Sequence, residues 1–329
     1  MGRSEVVARW ALVAAVVSAL VAGCGAPAPG PDIPTERSTP GAAAPLPGGP
    51  SGAPAPSPGG VVAVTATRPC VGAPAPTRWR HVVWIWFENK ASALGSSAAP
   101  YLSGLAAACA SAADDHGVTH PSLPNYLAAT SGSTHGVRDD AGPAAHPLPG
   151  PSLFSQVADA GLSWRAYDES MPAPCATTSR GRYAVKHNPA VYYTAVRADC
   201  ARWDVGLDRL SADLASDRMP AFAFVTPDLC HDMHDCSVAA GDAWLRGMLP
   251  TLLASPAYQR GDTAVFITWD EDEGSAANRV PLLVVAPSVA PGTTIAGRLD
   301  HYALLRTTEH MLGLPPLGNA AAAPLVDGF

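Results

Sequence analysis

Four consecutive carboxylates, Asp270-Glu271-Asp272-Glu273, follow directly on the apolar run Thr263 to Trp269 and stop at Gly274. Carboxylates held this close repel one another, and the repulsion is relieved by a raised pKa, by splaying into water or by a bound cation. A second apolar run, His81 to Phe87, ends the same way in Glu88-Asn89. Ligands of open α/β sheets collect beyond the carboxyl ends of the strands. Two such ends rich in oxygen donors point to a divalent ion, of identity unknown, held by Glu88, Asn89, Asp270 and Glu271. Asp272 and Glu273 are then solvated turn residues. The run Thr119-His120-Pro121-Ser122-Leu123-Pro124-Asn125-Tyr126 supplies a hydroxyl, because Ser122 falls at the start of a helix whose first turn accommodates Pro124. Free N–H groups and the dipole at that end favour a phosphate or an alkoxide. A plain N-cap is the other reading of Ser122, and Thr119 is the rival nucleophile.

Pro227 to Cys236 packs Asp228, Asp232, Asp235, His231 and His234 into a loop that Cys230 and Cys236 could pinch shut. Two cysteines and two histidines have the composition of a zinc site, but in an exported chain the thiols oxidise to a disulfide and leave the imidazoles free as ligands or acids. His234 is the first candidate for protonating a leaving alkoxide and His301 the second, since imidazole titrates in the mildly acidic to neutral range. Lys186-His187 offers a cation to a substrate phosphate, with a solvated turn as the plain alternative.

The elements that must position these groups are legible as short apolar runs at His81 to Phe87, Leu162 to Tyr167, Ala221 to Thr226, Thr263 to Trp269 and Val280 to Ala286. They read as buried strands of a largely parallel sheet. Between them lie segments of helical length: Ala98 to Ala113, Pro124 to Ser131, Ser152 to Ala160, Leu207 to Ser216, Val238 to Leu253 and Tyr302 to Leu312. Such alternation predicts a single α/β domain with helices on both faces of the sheet. The polar stretch Met171 to Trp203 reads as an insertion over one edge.

The N-terminal sixty residues are of another kind. Arg3 and Arg9 precede the apolar stretch Trp10 to Val21, and Leu20-Val21-Ala22-Gly23-Cys24 has the small residues that allow a thiol to be acylated and the peptide cleaved. Residues 1–24 are therefore expected to be a lipoprotein-type signal peptide with a lipid on Cys24, simple secretion being the alternative. Residues 25–60 contain eleven prolines among alanine, glycine and serine and read as a tether. The catalytic domain is placed at 61–329. The expected location is the outer face of the cell membrane through the Cys24 lipid, or the medium. Six cysteines remain, and proximity pairs Cys175 with Cys200, Cys230 with Cys236 and hence Cys70 with Cys109. The formal net charge of -7 and the lack of a basic face argue against a nucleic-acid partner. A monomer is expected.

Together these segments resemble the bacterial phosphoesterase family of secreted acid phosphatases and phospholipases C, related to the alkaline-phosphatase superfamily. The likeness runs from about His81 to Leu314. It is anchored by Phe87-Glu88-Asn89, the Thr119 to Tyr126 run, Met233-His234-Asp235, Gly241-Asp242-Ala243-Trp244-Leu245, Thr268-Trp269-Asp270-Glu271-Asp272 and His301-Tyr302. Within the family the chain is most similar to secreted acid phosphatases described as acting on phosphoinositide 3-phosphates, which share Lys186-His187-x-Pro189. The resemblance implies an alkaline-phosphatase-like fold, metal or phosphate contact by Glu88, Asn89, Asp270 and Glu271, and a nucleophile between Thr119 and Ser122. Ser122 is chosen because its Leu123-Pro124-Asn125 is similar to the Phe-Pro-Asn that follows the nucleophilic threonine of related phosphodiesterases, which also marks Asn125 as a site residue. Asp270-Glu271 stands where the wider superfamily commonly has Asp-His, so the resemblance implies one hard divalent ion. The expected activity is that of an exported acid phosphatase acting on phosphomonoesters, whether small molecules or phospholipid headgroups. A phospholipase C type phosphodiesterase and a non-catalytic metal-binding lipoprotein are the alternatives.

Overall fold

In the computed structural model, which describes residues 63–274 and 277–329, the apolar runs become the strands of one sheet. The expected signal peptide, Cys24 and the tether lie outside the described residues. The strands are β1 His81–Phe87, β2 Ala110–His116, β3 Trp164–Asp168, β4 Asp204–Gly206, β5 Phe222–Thr226, β6 Thr263–Trp269, β7 Arg279–Val280, β8 Leu282–Val285 and β9 Thr293–Asp300. Their order is β4-β3-β5-β1-β6-β8-β2-β7, with β9 beside β2. The run from β4 to β6 is parallel throughout, and β8 turns antiparallel against β6 and β2. The sheet is thus largely parallel, as expected.

Eight α-helices accompany it among the described residues: α1 Pro100–Ala108, α2 Ser122–Ser131, α3 Leu153–Asp159, α4 Cys200–Trp203, α5 Asp208–Ala215, α6 Val238–Leu253, α7 Pro256–Gln259 and α8 His301–Leu312. β1 shows why its strand is apolar at every position. Trp84 and Trp86 point to the α2 and α8 side, where the Trp84 indole donates to Thr308 and Trp86 packs on Tyr126 and His301. Phe87 points the other way, onto Trp244 of α6. A strand covered on both faces has no polar side, and period-two alternation disappears.

The expected pairs Cys70–Cys109, Cys175–Cys200 and Cys230–Cys236 all form. Three expectations need correction. The helix expected over Ala98 to Ala113 stops at Ala108, and Ala110–His116 is β2. Pairing with β8 and β9 overrides the helical preference of its alanines. Neither β4 nor β9 was anticipated: β4 has three residues, and β9 buries only Ile295 and Leu299, too little for an alternating pattern. Met171 to Trp203 does more than cover an edge, since it leaves from the end of β3, returns as β4 and carries Lys186 and His187 inward on a 3-10 turn, Val185–His187.

Candidate active site

The carboxyl ends of β1, β5 and β6 are laced together by main-chain bonds. Asp270 N donates to Phe87 O at 3.1 Å, and Glu88 N donates to Asp232 O at 2.8 Å. The next side chains therefore emerge at one point. Glu88 is fully buried there and holds the centre: Tyr126 donates its hydroxyl to Oε1 at 2.6 Å, and Ser122 donates its hydroxyl to Oε2 at 3.1 Å. Ser122 is the first residue of α2, with Pro121 as N-cap, so it is not a plain capping serine. Its Oγ accepts from Lys186 Nζ at 3.3 Å, and Lys186 is steadied by Asp140 at 3.1 Å. The Asp140 carboxylate also accepts from Leu123 N in the first turn of α2, at 3.0 Å.

Asn125 shapes the loop that enters this helix. Its side-chain oxygen accepts from Val118 N and Thr119 N, and its amide donates to Thr119 O, Pro121 O and Glu271 Oε2. A network this complete holds residues 118–121 in one arrangement and aims Ser122. Gly117 is required by close approach: a Cβ there would lie 2.6 Å from Asp270 O. Thr119 Oγ1 donates only to its neighbour's carbonyl, His120 O, and stands apart from Glu88.

The histidines divide by environment. His187 is buried, with Nε2 3.2 Å from Glu88 Oε1 and Nδ1 3.1 Å from Asp232 Oδ2. Burial, then the nearby Lys186 and His234, hold it well below the usual imidazole range, so it is neutral. His234 is part-exposed; Asp235 accepts from its Nδ1 at 2.7 Å, which leaves Nε2 facing Lys186 at 3.4 Å. His301, the second candidate acid, is 1 % exposed and uses its Nε2–H on Asp270 O at 2.6 Å. Burial pushes it down to about 4. It positions the Asp270 backbone from behind and does not reach the opening.

Four carboxyls crowd this point: Glu88, Asp232, Asp270 and Glu271. Burial raises all of them above the usual carboxylate range, and mutual repulsion among Glu88, Asp232 and Asp270 adds to the rise of Glu88. Lys186 is the ammonium beside them; burial alone would lower its pKa, but Glu88 and Asp140 raise it. Asp270 Oδ2 and Asp232 Oδ2 are buried without a hydrogen-bond partner. Unpaired oxygens in an excess of buried acid suit a hard cation. Glu88, His187 and His234 also bring one ligand atom each within 4.8 Å of one another, so Glu88 joins two possible donor groups. A recess of about 470 Å³ opens onto Asn89, His120 and Glu271. Larger cavities of about 840 and 720 Å³ lie beside β3 and β4 and contain none of these groups.

Residues 83–315 match the model of the phosphoesterase family. The chain belongs to that family. A phosphatidylinositol-3-phosphatase of Mycobacterium tuberculosis is 36% identical over 261 residues, covering 78% of this chain and 85% of that protein. An acid phosphatase of Aspergillus fumigatus is 31% identical, covering 62% of this chain, which spans about half the length of that relative (48%). In fold, this phosphoesterase is like an alkaline phosphatase superfamily protein from Vibrio parahaemolyticus, with a TM-score of 0.52, 13% identity and coverage of 78% and 72%.

The structure of this phosphoesterase brings together Glu88, Asp270, Glu271, Ser122, Lys186, His187 and His234 and leaves Thr119 and His301 outside. Asp272 is a correction: it is 2% exposed, not solvated, and closes its loop by accepting from Gly274 N and Asn278 N. Glu273 is exposed and accepts from Ala91 N. Sequence reasoning missed His120, whose Nδ1 lies 3.0 Å from Glu271, as well as Asp140 and Tyr126. It grouped Asp232 only by composition. Gly241-Asp242 proves structural: Asp242 caps α1 through Leu102 N and Tyr101 N.

Proposed function

We propose that this phosphoesterase is an exported, metal-dependent acid phosphatase that hydrolyses phosphomonoesters, phosphoinositide headgroups among them, with Ser122 as nucleophile. The observation that carries the reading is the Ser122 hydroxyl, buried at the N-terminus of α2 between the Glu88 carboxylate and the Lys186 ammonium. A divalent ion held by Glu88, Asn89, Asp270 and Glu271 would neutralise the phosphoryl oxygens and make the serine hydroxyl more acidic. The residues' own work follows from their contacts. Lys186 Nζ binds the phosphoryl group, with the positive end of the α2 dipole behind Ser122. Glu88 Oε2 holds the Ser122 proton while Oγ forms a bond to phosphorus and the bond to the leaving oxygen breaks. His234 Nε2 delivers a proton to that oxygen, and water then hydrolyses the phosphoserine.

The names of the mycobacterial and fungal relatives favour a monoester substrate. The three disulfides suit an oxidising compartment, which supports export. Among the described residues no helix is long and apolar enough to cross a membrane. The test is phosphate release by purified protein from p-nitrophenyl phosphate, bis-p-nitrophenyl phosphate and phosphatidylinositol 3-phosphate, each with and without chelator. Monoester turnover that disappears with chelator and returns with metal is expected. Turnover of the diester alone would replace this reading with a phospholipase C type activity, and no turnover by folded, metal-loaded protein would leave a binding lipoprotein.

A further inference from the structure

Two buried acids outside the Ser122 site have no part in the chemistry above. Asp168 ends β3, and Asp204 opens β4 opposite Ala166, so the two carboxyls project from one face of the parallel pair and touch. They are 2 % and 0 % exposed. Both Asp204 oxygens accept from Asn188 Nδ2 at 3.0 Å, and that amide also donates to the Tyr183 hydroxyl. Asp168 Oδ1, Asp168 Oδ2 and Asn188 Oδ1 receive no donor. Three buried acceptors with nothing to accept require a proton in the cluster.

The groups around the pair offer no counter-charge. Tyr183 faces it through Asn188 with Tyr192 beyond, Thr226 of β5 stands in register with Asp168, and the Cys175–Cys200 disulfide packs on Asp204 with Cys200 Sγ 3.8 Å from Oδ2. Among the described residues no basic side chain pairs with either acid. Two carboxylates in contact, out of water and without a cation, cannot both ionise, so one proton is shared.

Asn188 is the joint between two 3-10 turns, Val185–His187 and Pro189–Tyr192, and directly follows the residues that reach Ser122 and Glu88. We propose that the Asp168–Asp204 pair is a positioning device for the phosphate-binding segment, gripping Asn188 so that Lys186 and His187 are presented to the site. The proposal rests on the phosphatase reading for what Lys186 binds. Burial raises both carboxyls, Asp204 to about 7. The fold therefore holds the shared proton more tightly than the unfolded chain does. The shared proton sits on Asp168, which Asp204 raises further while the bond from Asp168 lowers Asp204, so Asp204 remains the acceptor that grips Asn188.

The experiment measures kcat and KM for p-nitrophenyl phosphate, with calorimetric binding of inorganic phosphate alongside, in the full chain, in Asn188→Ala and in Asp168→Asn. Asn188→Ala should raise KM and the phosphate Kd about tenfold with kcat changed less than about twofold. In Asp168→Asn an amide takes the place of the protonated carboxyl and keeps a donor toward Asp204, so KM and phosphate Kd are expected to stay within about twofold of the parent. Asn188→Ser is the second variant should Asn188→Ala not fold, with the same expectation. An Asn188→Ala protein with lowered Tm and unchanged KM and Kd, or an Asp168→Asn protein that loses phosphate binding as far as Asn188→Ala does, would overturn the proposal. If no ester is turned over, the phosphatase reading fails, and the phosphate Kd still decides the clamp.

Discussion

Replacing Ser122 by alanine separates chemistry from folding, because the two losses expected of it differ in size. It is 1 % exposed, donates to Glu88 at 3.1 Å and accepts from Lys186 at 3.3 Å. Loss of a nucleophile commonly lowers turnover on the order of 10⁵-fold, about 7 kcal/mol of barrier. The structural loss is smaller. Glu88 keeps the Tyr126 hydroxyl and loses one donor, a cost of about 1–3 kcal/mol. At about 2–4 °C per kcal/mol for a domain of this size, Tm should fall by roughly 2–12 °C. Thr119→Ala removes a hydroxyl bonded only to its neighbour's carbonyl and should cost less than about threefold in turnover. The assay is steady-state hydrolysis of p-nitrophenyl phosphate by the three proteins, with melting curves and acid-quench mass spectrometry of the peptide carrying phosphoserine. A Ser122→Ala protein that keeps more than about one-hundredth of the parent rate while Thr119→Ala loses it would refute the assignment.

Lys186→Ala should lower kcat/KM by roughly 10- to 100-fold, mostly through KM, because a charge-assisted bond to phosphate is lost; competitive inhibition by inorganic phosphate should weaken in parallel. Burial raises the Glu309 carboxyl to about 8, so its stabilising protonated form is fully present below about pH 4.5 and is lost as pH rises through 8. Melting temperatures of Glu309→Gln should show a flatter decline between pH 6 and 9 than those of the parent, and identical slopes would count against it. Replacing Cys70 and Cys109 together by serine opens a cross-link between residues 39 apart and should cost about 4 kcal/mol in urea unfolding.

What was legible in the sequence followed the strands. Glu88, Asp270 and Glu271 could be picked out because each directly follows an apolar run, and the sheet delivers such residues to one edge. Ser122 could be placed because helix starts have local signatures. Asp140 had none: it sits in a polar loop, and its contact with Lys186 spans 46 positions. Tyr126 looked like an ordinary buried face of α2, which it also is, packed on Trp86 and stacked on His187. Alanine-rich β2 shows the same limit in the fold, since its strand character comes from its neighbours and not from its own residues.

The hydrogen bonds around Glu88 also bear on how the site balances its charge. Four buried carboxyls could in principle be neutralised by protons alone, and burial pushes each of them that way. Glu88 serves as a base only when ionised. Both of its oxygens then accept, Oε1 from Tyr126 and Oε2 from Ser122, whereas a proton on Glu88 would be shared with Asp270 beside it. Burial keeps the Tyr126 phenol protonated, raising it well above the usual range, so the 2.6 Å bond remains a donation into the carboxylate. An ionised Glu88 beside Asp270 and Asp232 needs more positive charge than Lys186 supplies, and the unpaired oxygens of both aspartates are where it can be taken up. The arrangement that keeps Ser122 ready to give up its proton to Glu88 is therefore the same one that calls for a divalent cation.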